Sequence, residues 1–228
     1  GLKGYENAIE QYNLVIKKLP TFIRARQNLA ALYLQIGRFT DAIEQSNEIL
    51  NIDPNIAPIY LILARSYSYT DNFDDAVKNI RNFIDLQESS FEGYYLLGVF
   101  LMASGDSKSS KDALEKAGKI DAKQGNMMIA NALINHIEGN YDNAEVYLEK
   151  AQGLTPETNN PTINIFLTNL YLTQGKNKLS KESLKASSGF INGFRPDNLD
   201  LKTDSEINQS FAHTNLAIFF YLNRWYDK

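Results

Sequence analysis

The chain has 228 residues, of which 43% are apolar and 22% charged, a balance close to that of folded globular proteins and enough to bury a substantial core. Its formal net charge is -4 and its basic residues form no dense cluster, which argues against a nucleic-acid footprint. Cysteine is absent, which excludes disulfides, thiolate metal ligands and cysteine nucleophiles. No apolar run approaches the roughly 20 residues a membrane helix needs.

The first 22 residues place Tyr5, Ala8, Tyr12 and Val15 at steps of three and four, so a single helix is predicted there. The chain opens without Met and without the charged and apolar regions of a signal peptide, as expected of a piece trimmed from a longer protein. In 23–36, IRARQNLAALYLQI, the residues Ala25, Leu29, Leu32, Tyr33 and Ile36 form one helical stripe. In 39–50 a second stripe is formed by Phe39, Ala42, Ile43, Ile49 and Leu50. Gly37 stands between them, where a left-handed residue ends the first helix. Two antiparallel helices joined by a tight turn are predicted.

The same skeleton returns. GRFTDAIEQSNEILNIDPN at 37–55 and GNYDNAEVYLEKAQGLTPE at 139–157 share a Gly, an aromatic, an Ala and a closing Pro. Pro54 and Pro156 are 102 residues apart, three steps of 34. Steps of 34 also lead from Gly37 to Asp71, Gly105 and Gly139, and from Phe39 to Phe73, Ser107 and Tyr141. They connect Ala8, Ala42, Ala76, Ser110 and Ala144 without insertion or deletion. At the second turn Asp71 suits a left-handed backbone less well than Gly, and Asn72 beside it is the alternative. The small residues have a mechanical reason, because two helices cross at about 8–9 Å only where side chains are small. Ala30, Ala64, Gly98 and Ala132 supply that site on the first helices, while Leu29, Leu63, Tyr33 and Tyr67 fill the space between pairs. One pair cannot bury both of its faces, so successive pairs are predicted to stack into a solenoid.

A 34-residue unit reading Leu-small-x-x-Tyr, then Gly-x-aromatic-x-x-Ala, then Pro resembles the tetratricopeptide repeat. The resemblance implies an all-α, right-handed α-solenoid of antiparallel helix pairs. It sets an array over 1–194, with a half repeat at 1–22 and repeats at 23–56, 57–90, 91–124, 125–158 and a looser 161–194. Arg26 departs from the pattern at a site usually large and apolar, as do Asn177 and Ser180 at the aromatic and Ala sites of the last repeat. RPDNLDLKTDSEINQ at 195–209 reads as an irregular insertion. Residues 210–228 read as a truncated terminal repeat, since NLAIFFYLNRWYD parallels NLAALYLQIGRFTD at 28–41.

The chain shows no phosphate loop, dinucleotide fingerprint or nucleophile elbow. Two histidines, His136 and His213, make no metal motif, and TDNFDDA at 70–76 lacks the central Gly and distant Glu of a calcium loop. No catalytic, cofactor-binding or metal-ligating residue is predicted, and the chain is expected not to be an enzyme. The resemblance instead implies a concave groove lined by the first helices. Carried over by register, its lining includes Arg24, Gln27, Ala31, Leu34 and Gln35, then Leu61, Arg65, Ser68 and Tyr69. Tyr95, Val99 and Met102 follow, then Asn126, Ile129, Leu133 and His136, with Ile165, Asn169 and Leu172 in the last repeat. The Lys and Asn pairs of a chaperone-type carboxylate clamp are missing, and the middle repeats carry apolar residues instead. An exposed apolar patch marks a binding surface. The expected groove residues are Arg24, Gln27, Leu61, Arg65, Tyr69, Tyr95, Val99, Met102, Ile129, Leu133 and His136.

The expected function is a scaffold or adaptor that binds another protein, as a peptide or amphipathic helix, in that groove. Nucleic acid and membrane insertion are not expected. The alternatives are a self-assembling structural module, with a homo-oligomer as its product, and the repeat region of a larger bacterial envelope protein for secretion, pilus assembly or polysaccharide export. Neither compartment nor partner follows from these residues.

Overall fold

A left-handed residue ends the first helix of each pair. In the computed structural model, which describes residues 2–120, 124–154 and 161–188, Gly37, Gly105, Gly139 and Gly175 have φ of 81°, 88°, 75° and 68°. The residue after each returns its N–H to a carbonyl five residues back: Arg38 to Tyr33 at 2.9 Å, Asp106 to Leu101 at 2.9 Å, Asn140 to Asn135 at 2.8 Å and Lys176 to Tyr171 at 2.8 Å. This bond satisfies a carbonyl that the helix end would leave open. The second turn corrects an expectation. Asp71 itself takes the left-handed conformation at φ 58°, while Asn72 stays at φ -90° and its side chain accepts from Asp75 N–H. Aspartate tolerates that region better than most residues, and asparagine is worth more as the N-cap.

These turns separate eleven α-helices among the described residues, which contain no strand. They are α1 (Leu2–Lys18), α2 (Ile23–Gln35), α3 (Phe39–Ile52), α4 (Ala57–Tyr69), α5 (Phe73–Leu86) and α6 (Phe91–Ala103). The rest are α7 (Ser107–Ile120), α8 (Gln124–Ile137), α9 (Tyr141–Leu154), α10 (Pro161–Thr173) and α11 (Asn177–Ser188). The chain divides into two compact units, Gly1–Phe100 and Leu101–Lys228, with the boundary inside α6.

In the first unit α1 packs on α2, α2 on α3, α3 on α4 and α4 on α5, and α2 also reaches α4. Small residues sit at the crossings: Ala30, Ala42, Ala64 and Ala76 are all fully buried. Large ones fill the layers. Ile9, Leu29 and Tyr33 form one cluster with Tyr12, Leu32 and Ile62, and Ile49, Ile59 and Leu63 form another with Ile23, Ile43 and Tyr67. Each fully buried Leu or Ile contributes about 1.5–3 kcal/mol. A close approach absent from the sequence reading is at Gly93, where an added Cβ would lie 2.9 Å from Ile84 Cγ1 and 3.1 Å from the Phe83 ring. The departure at Arg26 also has an explanation. Its guanidinium donates to the Pro20 carbonyl at 3.1 Å and to Gln45 Oε1 at 2.9 Å, tying the α1–α2 connection to α3.

In the second unit α7 packs on α8, α8 on α9, α9 on α10 and α10 on α11. Ala132, Ala144, Leu148, Ile163, Leu167 and Leu170 are its centre, with Met128, Ile129, Tyr141 and Phe166 packed around them. Ser180, 3% exposed, fills the small site of the last pair. The expected insertion at 195–209 and terminal repeat at 210–228 lie outside the described residues. Among the described residues no helix is long and apolar enough to cross a membrane.

Candidate functional site

In the first unit α2 and α4 each turn one stripe toward the paired second helix and keep another at least partly open. On α2, Arg24 and Ala31 are exposed and Gln27 is half-buried, while Ala25 and Leu29 point inward. Among the described residues Arg24 makes no ion pair. On α4, Leu61, Arg65 and Tyr69 are half-buried, and Ile59 and Leu63 are enclosed. The Tyr69 ring lies flat on Phe39, with centroids 4.6 Å apart and planes 10° apart. Ser68 is buried and its hydroxyl donates to the Arg65 carbonyl at 2.8 Å.

Arg65 Nη2 donates to Glu92 Oε1 on α6. This pair joins the outward stripes of two consecutive first helices inside the first unit. Both side chains stay partly open, at 26% and 45% exposure. Arg65 Nε is enclosed and has no acceptor among the described residues. The sequence reading missed Glu92. Its signal was available: the pair is 27 residues apart, one 34-residue repeat less two helical turns, an axial offset of about 10 Å between parallel neighbours that a long Arg and a Glu side chain can span.

Three expected groove residues are elsewhere. Tyr95 and Val99 are 7% and 2% exposed, and in the second unit Leu133 is 4% exposed. The open apolar patch expected around them is corrected to an interior one. The reason lies in α6, FEGYYLLGVFLMA, whose residues from Tyr95 to Leu101 are all buried; a helix apolar on every side is covered on every side. Tyr95 stacks on Phe91 at 5.5 Å, and burial pushes its phenol pKa far above the usual range.

Of the remaining second-unit candidates, Met102, Ile129 and His136 are half-buried, and Ile129 packs against the core. The side chains of Asn126, Ile165, Asn169 and Leu172 lie outside the described residues. The His136 ring is 5.5 Å from that of Tyr141, tilted by 52°. Burial lowers its pKa below the ordinary histidine value. Neutral in both states above that ordinary value of about 6.5, His136 takes a proton first in the unfolded chain as pH falls, so its contribution to stability is lost below that point. The unfolding midpoint is therefore expected to drop between pH 7.5 and 5.5, and less steeply in His136→Gln; equal slopes in urea titrations of the two proteins would contradict this.

Among the described residues no group of His, Cys, Asp and Glu is placed to hold a metal ion. The architecture is that of stacked antiparallel helix pairs in 34-residue repeats. The sequence profile of the tetratricopeptide repeat matches residues 23–56, 91–124 and 127–158, so three of the repeats are tetratricopeptide repeats. It is 23% identical over 154 residues to the TPR repeat-containing protein YpiA of Bacillus subtilis (strain 168); the match takes in 68% of this chain but only 36% of that protein. Among solved structures it is similar to MamA, at 27% identity and a TM-score of 0.60 over 67% of this chain and 90% of that one. It shares the fold of YrrB, a TPR protein with an unusual peptide-binding site, at 15% identity and a TM-score of 0.55 over 84% and 95% of the two chains.

Proposed function

We propose that the chain is a non-enzymatic protein-interaction scaffold and that a partner peptide or helix docks on the outward stripes of α2 and α4 in its first unit, with Glu92 of α6 at the rim. The carrying observation is the Arg65–Glu92 pair, which links α4 to the start of α6 beside the half-open Leu61 and Tyr69. A side with apolar centres and polar rims suits a peptide or an amphipathic helix. The three matched tetratricopeptide repeats support the scaffold role, as does YrrB, a protein of this fold with an unusual peptide-binding site.

Charge at Leu61 tests the reading, because an arginine there can carry its head to solvent and leave the core undisturbed. Peptides selected from a random display library on the wild-type chain are expected to lose at least about tenfold in affinity for Leu61→Arg, with helicity and melting unchanged; tenfold corresponds to one well-packed contact. Selected peptides that bind both proteins equally would place the site elsewhere.

A further inference from the structure

We infer that the partner docking on the first unit is acidic, with two carboxylates that meet Arg24 and Arg65; this rests on the docking face proposed above. The argument is one of charge complementarity. Helices α2 and α4 carry Arg24, Arg26 and Arg65 and no Asp or Glu. The helix between them, α3, carries Asp41, Glu44 and Glu48 and no Lys or Arg. The other second helices of this unit are mixed, with Lys17 and Lys18 on α1 and Lys78 and Arg81 on α5, so in a chain of net charge -4 the contrast is between α2 and α4 and the acidic α3 that separates them. A field of one sign on a face selects and steers partners of the other sign.

The three arginines are not equivalent. Arg26 is committed to the Pro20 carbonyl and to Gln45, so it serves the fold. Arg24 is exposed and has no ion-pair partner among the described residues. Arg65 is held by Glu92 through one nitrogen only, and Glu92 is itself nearly half open. A partner carboxylate can take the remaining edge of that guanidinium or displace Glu92, and a carboxylate on arginine is among the stronger hydrogen-bonded contacts available. The corresponding outward sites on α2 and α4 are Ala31 and Pro58, which offer no internal acid, so nothing on those helices neutralises Arg24 in the way Glu92 neutralises Arg65.

The spacing can be stated. Helices α2 and α4 both run antiparallel to α3 and so parallel to each other. In register, Arg65 stands seven residues further along its helix than Arg24, which is about 10 Å of axial rise. Adding one interhelical spacing of about 9 Å puts the two positions about 14 Å apart. An extended peptide covers that distance in about four residues. The favoured partner is therefore a short segment reading acid, three residues with apolar character over Leu61, then acid.

The test is peptide display on the immobilised 228-residue chain and on Arg24→Glu, followed by anisotropy titration of the strongest peptide. The wild-type pool is expected to be enriched in Asp and Glu about threefold over the library, and the Arg24→Glu pool is not. The labelled acidic peptide is expected to bind about tenfold more tightly than its Asn/Gln counterpart, to weaken as salt rises, and to bind more tightly still to Glu92→Gln, which frees Arg65. A wild-type pool that depends on Leu61 but is not acidic overturns this inference and leaves the docking face standing. Pools indifferent to Leu61→Arg, or no selectable peptide at all, overturn both.

Discussion

Tyr95→Asp is expected to unfold the first unit, with a loss of about 4 kcal/mol or more, and not to act by emptying a binding face. Removing a buried aromatic costs about 3–5 kcal/mol, and placing a carboxylate in its space adds the cost of an unpaired buried charge. Tyr95 is 7% exposed, its ring stacks on Phe91, and its helical neighbours Leu96 and Val99 are also enclosed. A domain of ordinary stability has only about 5–15 kcal/mol to lose. Urea titration by circular dichroism should show the midpoint falling steeply, and a Tyr95→Asp protein that melts like the wild type would overturn the burial argument. The contrast with Leu61→Arg is informative: one substitution reports on folding and the other on the partner, although both sites belong to the same outward register of a first helix.

Ala42→Leu is the second large effect, at about 3 kcal/mol of destabilisation. Ala42 is fully buried where α3 crosses α2, beside Leu29 and Tyr33. Overpacking a closed crossing forces rotamer and backbone shifts that typically cost about 1–3 kcal/mol, and this site has no open side to relieve them. Ala8 occupies the equivalent position on α1, 34 residues earlier, yet is only half-buried. Ala8→Leu is accordingly expected to change stability by less than about 0.5 kcal/mol, as at other partly open sites. Thermal melts of the two variants side by side check the pair; equal losses would mean that residue type, and not closure of the crossing, sets the cost.

The helix pairs were legible in the sequence because their determinants are local. Gly37, Phe39 and Ala42 mark a turn, a helix start and a crossing within six residues, and the copies at 34-residue intervals repeat them. The second helices begin at Phe39, Phe73, Ser107 and Tyr141, the positions that carry the periodic site. Even the irregular last pair is visible as a shift, with α11 starting at Asn177. The candidate site was less legible, since a register position gives the direction in which a side chain points but not what stands opposite. Leu61 and Tyr95 share one outward position; the first stays half open and the second is enclosed, because α6 is apolar on every side. Arg65 is legible as a lining residue but its partner is not, as Glu92 lies in the next repeat and no motif names the pair. Residue type alone does not decide between Asp71 and Asn72 at the second turn; the N-capping demand on Asn72 does.

The recurring turn bond has an evolutionary corollary. The five-residue return from Arg38 to Tyr33 is repeated from Asn72 to Tyr67, from Asp106 to Leu101 and from Asn140 to Asn135, so each joint hands the chain on in the same direction and at the same phase. A gene encoding such joints can gain or lose length by duplication or deletion of one period, because the residues on either side of the cut meet the ends they already fit. Residue-by-residue drift is then free to tune surface chemistry, such as the arginines of α2 and α4, while the lengths between joints are inherited as whole numbers of repeats.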